Sequence, residues 1–83
     1  MLQCLRKEVD AVKNYYMFIG RNVKKARKAA GMTQEDLAWT LDVSLSTISR
    51  LECGRTMVSI ERLMEIAQIL NVFAGDLLKY DGE

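Results

Sequence analysis

Within seven residues, Ser44, Leu45, Ser46, Thr47, Ser49 and Arg50 bring together four hydroxyls, one aliphatic group and one guanidinium. Hydroxyls donate and accept, so they suit both base edges and phosphate oxygens. A guanidinium can pair with guanine through two parallel bonds, and an aliphatic group can pack on a thymine methyl. Wound into a helix, the segment places Ile48 and Leu51 on the opposite side, where they can anchor it. Upstream, Thr33 and Gln34 stand at the start of another helical pattern, where backbone amides and the helix dipole favour an anion. The chemistry on offer is non-covalent recognition of double-stranded DNA, with the hydroxyls of this segment suited to base edges or phosphates and with Thr33, Gln34 and Ser44 placed at helix starts where a phosphate could be met.

Other chemistries lack their usual parts. The 83 residues contain no histidine, and the two cysteines, Cys4 and Cys53, are isolated. No glycine-rich phosphate loop or convergent carboxylate pair is evident, so no catalysis, metal site or cofactor is expected. No apolar run approaches the ~20 residues of a membrane span, and no leader pattern is visible. Unpaired thiols in a core-forming chain suit a reducing, cytoplasmic setting. The net charge of +1 hides an asymmetry: residues 1–31 carry eight basic against two acidic groups, and residues 32–83 four against nine. A polyanion would meet a local basic surface rather than a globally basic protein.

The elements that must position these groups are helical. A chain of this size is one small domain that buries about 60–65% of its unfolded surface. With 49% apolar residues and no proline, a compact all-α fold is expected. The apolar spacing predicts a first helix from about Phe18 to Ala30, with Ile19, Val23, Ala26 and Ala30 on one face and Gly31 as its stop. A second runs from Thr33 to Leu41, capped by Thr33 with Asp36 at the reciprocal position. The third spans about Ser44 to Cys53, closed by Gly54. Ser59 caps a fourth whose stripe is Ile60, Leu63, Met64, Ile66, Ala67 and Leu70, with Asn71 as a left-handed stop. A short fifth covers Ala74 to about Lys79. The second and third, joined by a tight turn, form a helix-turn-helix.

The order and spacing of these motifs resemble the lambda-repressor/Cro-like helix-turn-helix family, also called the xenobiotic-response-element type. The residues that carry the likeness are Ile19 to Arg27, Gly31 to Ala38, Val43-Ser44, Ser46 to Glu52, Gly54 and Leu70 to Val72. The resemblance covers about residues 18–78. It implies a five-helix domain that binds operator DNA as a homodimer and regulates transcription. It places base contacts at Leu45, Ser46, Thr47, Ser49 and Arg50, and phosphate contacts at Gln34, Arg55 and Thr56. It also implies a largely buried ion pair between Arg27 and Glu52, and a dimer seam among the outer members of Val72, Phe73, Leu77, Leu78 and Tyr80. The expected organisation is an N-terminal extension over 1–17, the DNA-binding domain over 18–80 and a frayed tail over 81–83. With no ligand domain expected after it, regulation would act through concentration, self-association or a regulatory protein partner.

Some positions depart from the family pattern. Leu45 stands where a polar or basic group is usual, Asp42 replaces a turn glycine, and Met57 and Val58 make the following loop unusually apolar. Cys53 takes a position that is often polar. Trp39 falls opposite Leu37 and Leu41, either as an exposed contact for another segment or subunit, or as a ring half-covered by neighbouring side chains. Upstream, Leu2, Leu5, Val9, Val12, Tyr16 and Ile19 alternate by three and four. The stripe suits a short dimeric coiled coil, in which Glu8 and Lys13 could pair, or an amphipathic helix on its own domain. A start at Met17 is the third option. The rival function is a protein-interaction module, antitoxin-like, that keeps the fold without binding DNA.

Overall fold

The computed structural model describes the backbone of residues 2–79 and the side chains of residues 15–79. The chain winds into α1 (Leu2–Ala29), α2 (Gln34–Leu41), α3 (Leu45–Glu52), α4 (Ile60–Leu70) and α5 (Ala74–Leu77). No strand occurs among the described residues. The helix expected from Phe18 begins far upstream, so extension and first helix form one 28-residue rod. With no proline or glycine before Gly20, nothing in residues 2–19 interrupts the backbone ladder. The side chains of Cys4, Glu8, Lys13 and the stripe from Leu2 to Val12 lie outside the described residues, as do Tyr80 and residues 81–83.

α1 ends where Gly31 adopts φ +74 and the Met32 amide turns back to the Arg27 carbonyl at 3.1 Å. Ala30, expected on the inner face, is therefore exposed in the turn, whereas Phe18, Val23 and Arg27 point inward. α2 and α4 both stop on left-handed residues, Asp42 (φ 60) and Asn71 (φ 59). Short polar side chains tolerate that conformation by bonding locally.

The core gathers Val23, Leu37, Ile48, Leu63, Ile66 and Leu77, each at 2% exposure or less, with Leu41, Leu51 and Leu70 around them. Every helix contributes at least one of these side chains. The stripe on α4 is narrower than expected: Leu63, Ile66, Ala67 and Leu70 are buried, but Ile60 and Met64 are exposed. Met64 sits about 110° around the helix from the centre of the buried set. Ile60, in the first turn, borders an apolar cavity of about 460 Å³ shared with Tyr15, Tyr16, Ile19, Met57 and Val58.

Candidate nucleic-acid interface

α2 and α3 form the helix-turn-helix, and each begins on a hydroxyl cap. Thr33 is extended (φ −84, ψ 167), and its Oγ1 accepts the Asp36 amide at 3.0 Å. The Asp36 carboxylate returns the bond, accepting the Thr33 amide at 3.0 Å. That backbone bond, helped by the hydroxyl of Thr33, holds the Asp36 carboxyl below the usual carboxylate range. Two of the amides at this helix end are thus engaged within the chain. Those of Gln34 and Glu35, which the helix leaves without an internal acceptor, remain for an anion.

The turn between the helices depends on Asp42, whose amide bonds back toward Ala38 and Trp39. Ser44 then resumes extended geometry, and its Oγ accepts the Thr47 amide at 3.1 Å. The hydroxyls of Ser44 and Thr47 lie 2.8 Å apart and share a hydrogen bond. Ser44, Leu45, Ser46, Thr47 and Arg50 are exposed, and Ser49 is half-buried. Ile48 (1% exposed) and Leu51 (4%) fasten the other side to the core. The residues that the resemblance marks for base contact are thus accessible, Ser49 only in part, and no acidic residue stands in the first turn of α3.

Beneath this surface runs the Arg27–Glu52 pair. Arg27 donates from Nε to Oε2 of Glu52 at 2.7 Å and from Nη2 to Oε1 at 3.1 Å, and both side chains are almost wholly buried. The hydrogen bond to Glu52 raises the pKa of the guanidinium above its ordinary value, against the opposing pull of burial. Bidentate pairing of this kind supplies geometry as well as energy. α1 can approach α3 this closely because of Gly20: a Cβ there would lie 2.3 Å from the Leu51 carbonyl oxygen and 2.9 Å from that of Glu52.

The remaining expected contacts fall in different places. Gln34 is half-buried, and its Nε2 donates to Glu52 Oε1 at 3.0 Å, a bond the sequence reading missed. Nothing local signals it, because the partners are eighteen residues apart and belong to different helices. After α3, Gly54 takes φ +74 against the backbone of Met17, and Arg55 is exposed, its amide bonded to the Arg50 carbonyl at 2.9 Å. Thr56 is half-buried and lines the apolar cavity rather than standing fully beside Arg55. Cys53 is an exposed free thiol.

Trp39 is 87% exposed, so its ring is not half-covered by neighbouring side chains. Of the seam candidates, Phe73 and Leu78 are exposed and Val72 is half-buried. Leu77 belongs to the core at 2% exposure: in the single turn of α5 it is the residue that joins the buried cluster, and it is not available to a partner. Among the described residues no cluster of histidine, cysteine or carboxylates can hold a metal ion, and no helix is long and apolar enough to cross a membrane.

Comparison with known proteins agrees with this geometry. The family described as Helix-turn-helix matches residues 23–72. The chain is 34% identical over 58 residues to the uncharacterized HTH-type transcriptional regulator YazB of Bacillus subtilis, covering 70% of this chain and 84% of that protein. It is 36% identical over 63 residues to the antitoxin PezA of Streptococcus pneumoniae, covering 76% of this chain but only 40% of that longer protein. Among solved structures, the clp gene regulator ClgR of C. glutamicum superposes with a TM-score of 0.74 at 31% identity, over 77% of this chain and 82% of that one. The restriction-modification controller protein C.AhdI of Aeromonas hydrophila gives 0.73 at 25% identity, over 78% and 94%.

Proposed function

Because the chain belongs to the lambda-repressor/Cro-like helix-turn-helix family of DNA-binding transcriptional regulators, we propose that it acts as a homodimer on a palindromic operator, with α3 of each copy in the major groove. The observation that carries this reading is the exposed polar end of α3, offered by a helix whose other side is locked into the core. Leu45, Ser46, Thr47, Ser49 and Arg50 meet base edges, with Arg50 the strongest candidate for guanine. Thr33, Gln34, Ser44 and Arg55 meet phosphates, with Thr56 a lesser contributor, and Lys24, Lys25 and Lys28 add a long-range field that draws in the duplex. Two copies joined through Phe73, Leu78 and the edge of Val72 would set their α3 helices about 34 Å apart, one turn of DNA. The protein works without catalysis or cofactor, in the cytoplasm.

Selection of bound sites from random duplexes tests the reading. A palindromic consensus, a dimer-to-duplex stoichiometry and a steep loss of affinity with salt are expected, near −0.9 in the log–log slope per neutralised phosphate. No complex even at low ionic strength would overturn it. A protein partner is a second reading, supported by Trp39, whose bare indole is the kind of side chain that anchors interfaces. The likeness to a protein named as an antitoxin points the same way.

A further inference from the structure

The first turn of α2 is gripped twice by the buried ion pair. Arg27 Nη1 donates to the Met32 carbonyl at 2.8 Å, immediately before the Thr33 cap, and so holds the backbone. Glu52 Oε1 accepts from Gln34 Nε2 at 3.0 Å and so holds the side chain. The anchor itself is rigid, because the Glu52 side chain is 2% exposed and receives Arg27 through both oxygens.

We infer that Glu52 is a positioning residue for DNA contact, holding the Gln34 amide in the orientation that meets a phosphate. This rests on the DNA-binding reading above. A primary amide has two N–H donors, and Glu52 engages one of them. The second is open to another acceptor, on a half-buried side chain at the first position of α2, where the helix leaves the Gln34 and Glu35 amides without internal acceptors as well. An untethered glutamine would lose rotamer freedom on binding, whereas this one is ordered beforehand. Arg27 completes the device by cancelling the carboxylate charge, which would otherwise repel the phosphate.

The test is a set of affinities for one duplex chosen by selection on the wild-type chain. Gln34→Ala is expected to weaken binding about tenfold, the scale of one hydrogen bond to a charged group. The salt slope should stay unchanged, because a neutral amide releases no counterions. Replacing the pair by Arg27→Met with Glu52→Gln gives up the Arg27 bond to Met32 but keeps an acceptor for Gln34, and should bind about tenfold tighter than the next variant, which shares the first loss. Arg27→Met with Glu52→Met removes the acceptor and should lose about tenfold, after which adding Gln34→Ala should change nothing further. Equal binding by the two folded double variants, or the same Gln34→Ala loss in every background, overturns the inference. So does a mobile Gln34 side-chain amide in NMR relaxation of the free wild-type protein, a readout that needs no variant to fold. Failure of the wild-type chain to bind any duplex would instead bring down the DNA-binding reading itself, and this inference with it.

Discussion

The two ends of α3 lie about 10 Å apart along one short helix, yet they live under opposite rules. At the C-terminal end, Leu51 and Glu52 are buried, their carbonyls sit against Gly20, and the Glu52 carboxylate is held by Arg27 and Gln34. At the N-terminal end, Ser44 to Thr47 are exposed and bonded mainly to one another. Substitutions at the outer end change what the helix can touch, and those at the inner end change whether the helix is there at all. A recognition helix built this way can vary its specificity without putting the fold at risk. The difference can be broken from either end.

The largest effect belongs to the buried pair. Arg27→Ala leaves the Glu52 carboxylate charged, buried and short of its main partner, which costs about 3–5 kcal/mol. For a domain this small that is a fall in Tm of more than about 12 °C, readable by thermal denaturation. An unchanged melting curve would mean that the inner end is not the anchor. Gly20→Ala comes next. Its Cβ would meet two backbone carbonyls that cannot rotate away, so α1 and α3 must separate, at about 1–3 kcal/mol. The same measurement checks it, and a neutral result would show that the close approach of the two helices contributes little.

These two positions also mark how far the sequence alone could be read. The Arg27–Glu52 pair was legible only through family resemblance, because nothing in local periodicity connects residues on different helices. Caps at Thr33, Ser44 and Ser59, and left-handed stops at Gly31 and Asn71, were legible from residue type, since each depends on a side chain acting within three or four positions. The exposed face of α3 followed from helical spacing with Ile48 and Leu51 as anchors. What escaped depends on tertiary neighbours: the Gly20 contact, the Gln34–Glu52 bond, the cavity beside Tyr15 and Tyr16, and the exposure of Ile60 and Met64. Hydrophobicity said that Ile60 and Met64 belonged with the stripe, but the width of the groove they would have to fill is set by other helices. Likewise the start of α1 was placed too late, at about Phe18, although apolar spacing continues upstream with no breaking residue.

At the outer end, Arg50→Ala should weaken binding to the selected duplex by about 10- to 100-fold, the range for one bidentate base contact, and relax the preference at a single base pair. Because Arg50 is exposed, Tm should stay within about 4 °C, since surface changes of this kind fall within ±0.5 kcal/mol. Affinity measured beside thermal melting checks both halves. A loss of stability with unaltered specificity would reverse the roles assigned to the two ends.

The smallest effect separates α3 from its neighbour α2. Both helices are capped by a hydroxyl, but only the cap of α2 includes a titratable partner, Asp36. Its carboxyl is held below the ordinary value of about 4, chiefly by the Thr33 amide. A depressed folded-state pKa means that the carboxylate stabilises the first turn of α2 fully above that ordinary value, and that the contribution disappears as pH falls through the depressed one. The Thr33 amide should therefore lose hydrogen-exchange protection, relative to the Thr47 amide at the α3 cap, only in strongly acidic solution. Asp36→Asn should remove the pH dependence, leaving the two caps alike. Equal response of Thr33 and Thr47 to acid would mean that the reciprocal bond at α2 adds nothing to its hydroxyl, and that the two helices begin on equivalent footings despite their different first turns.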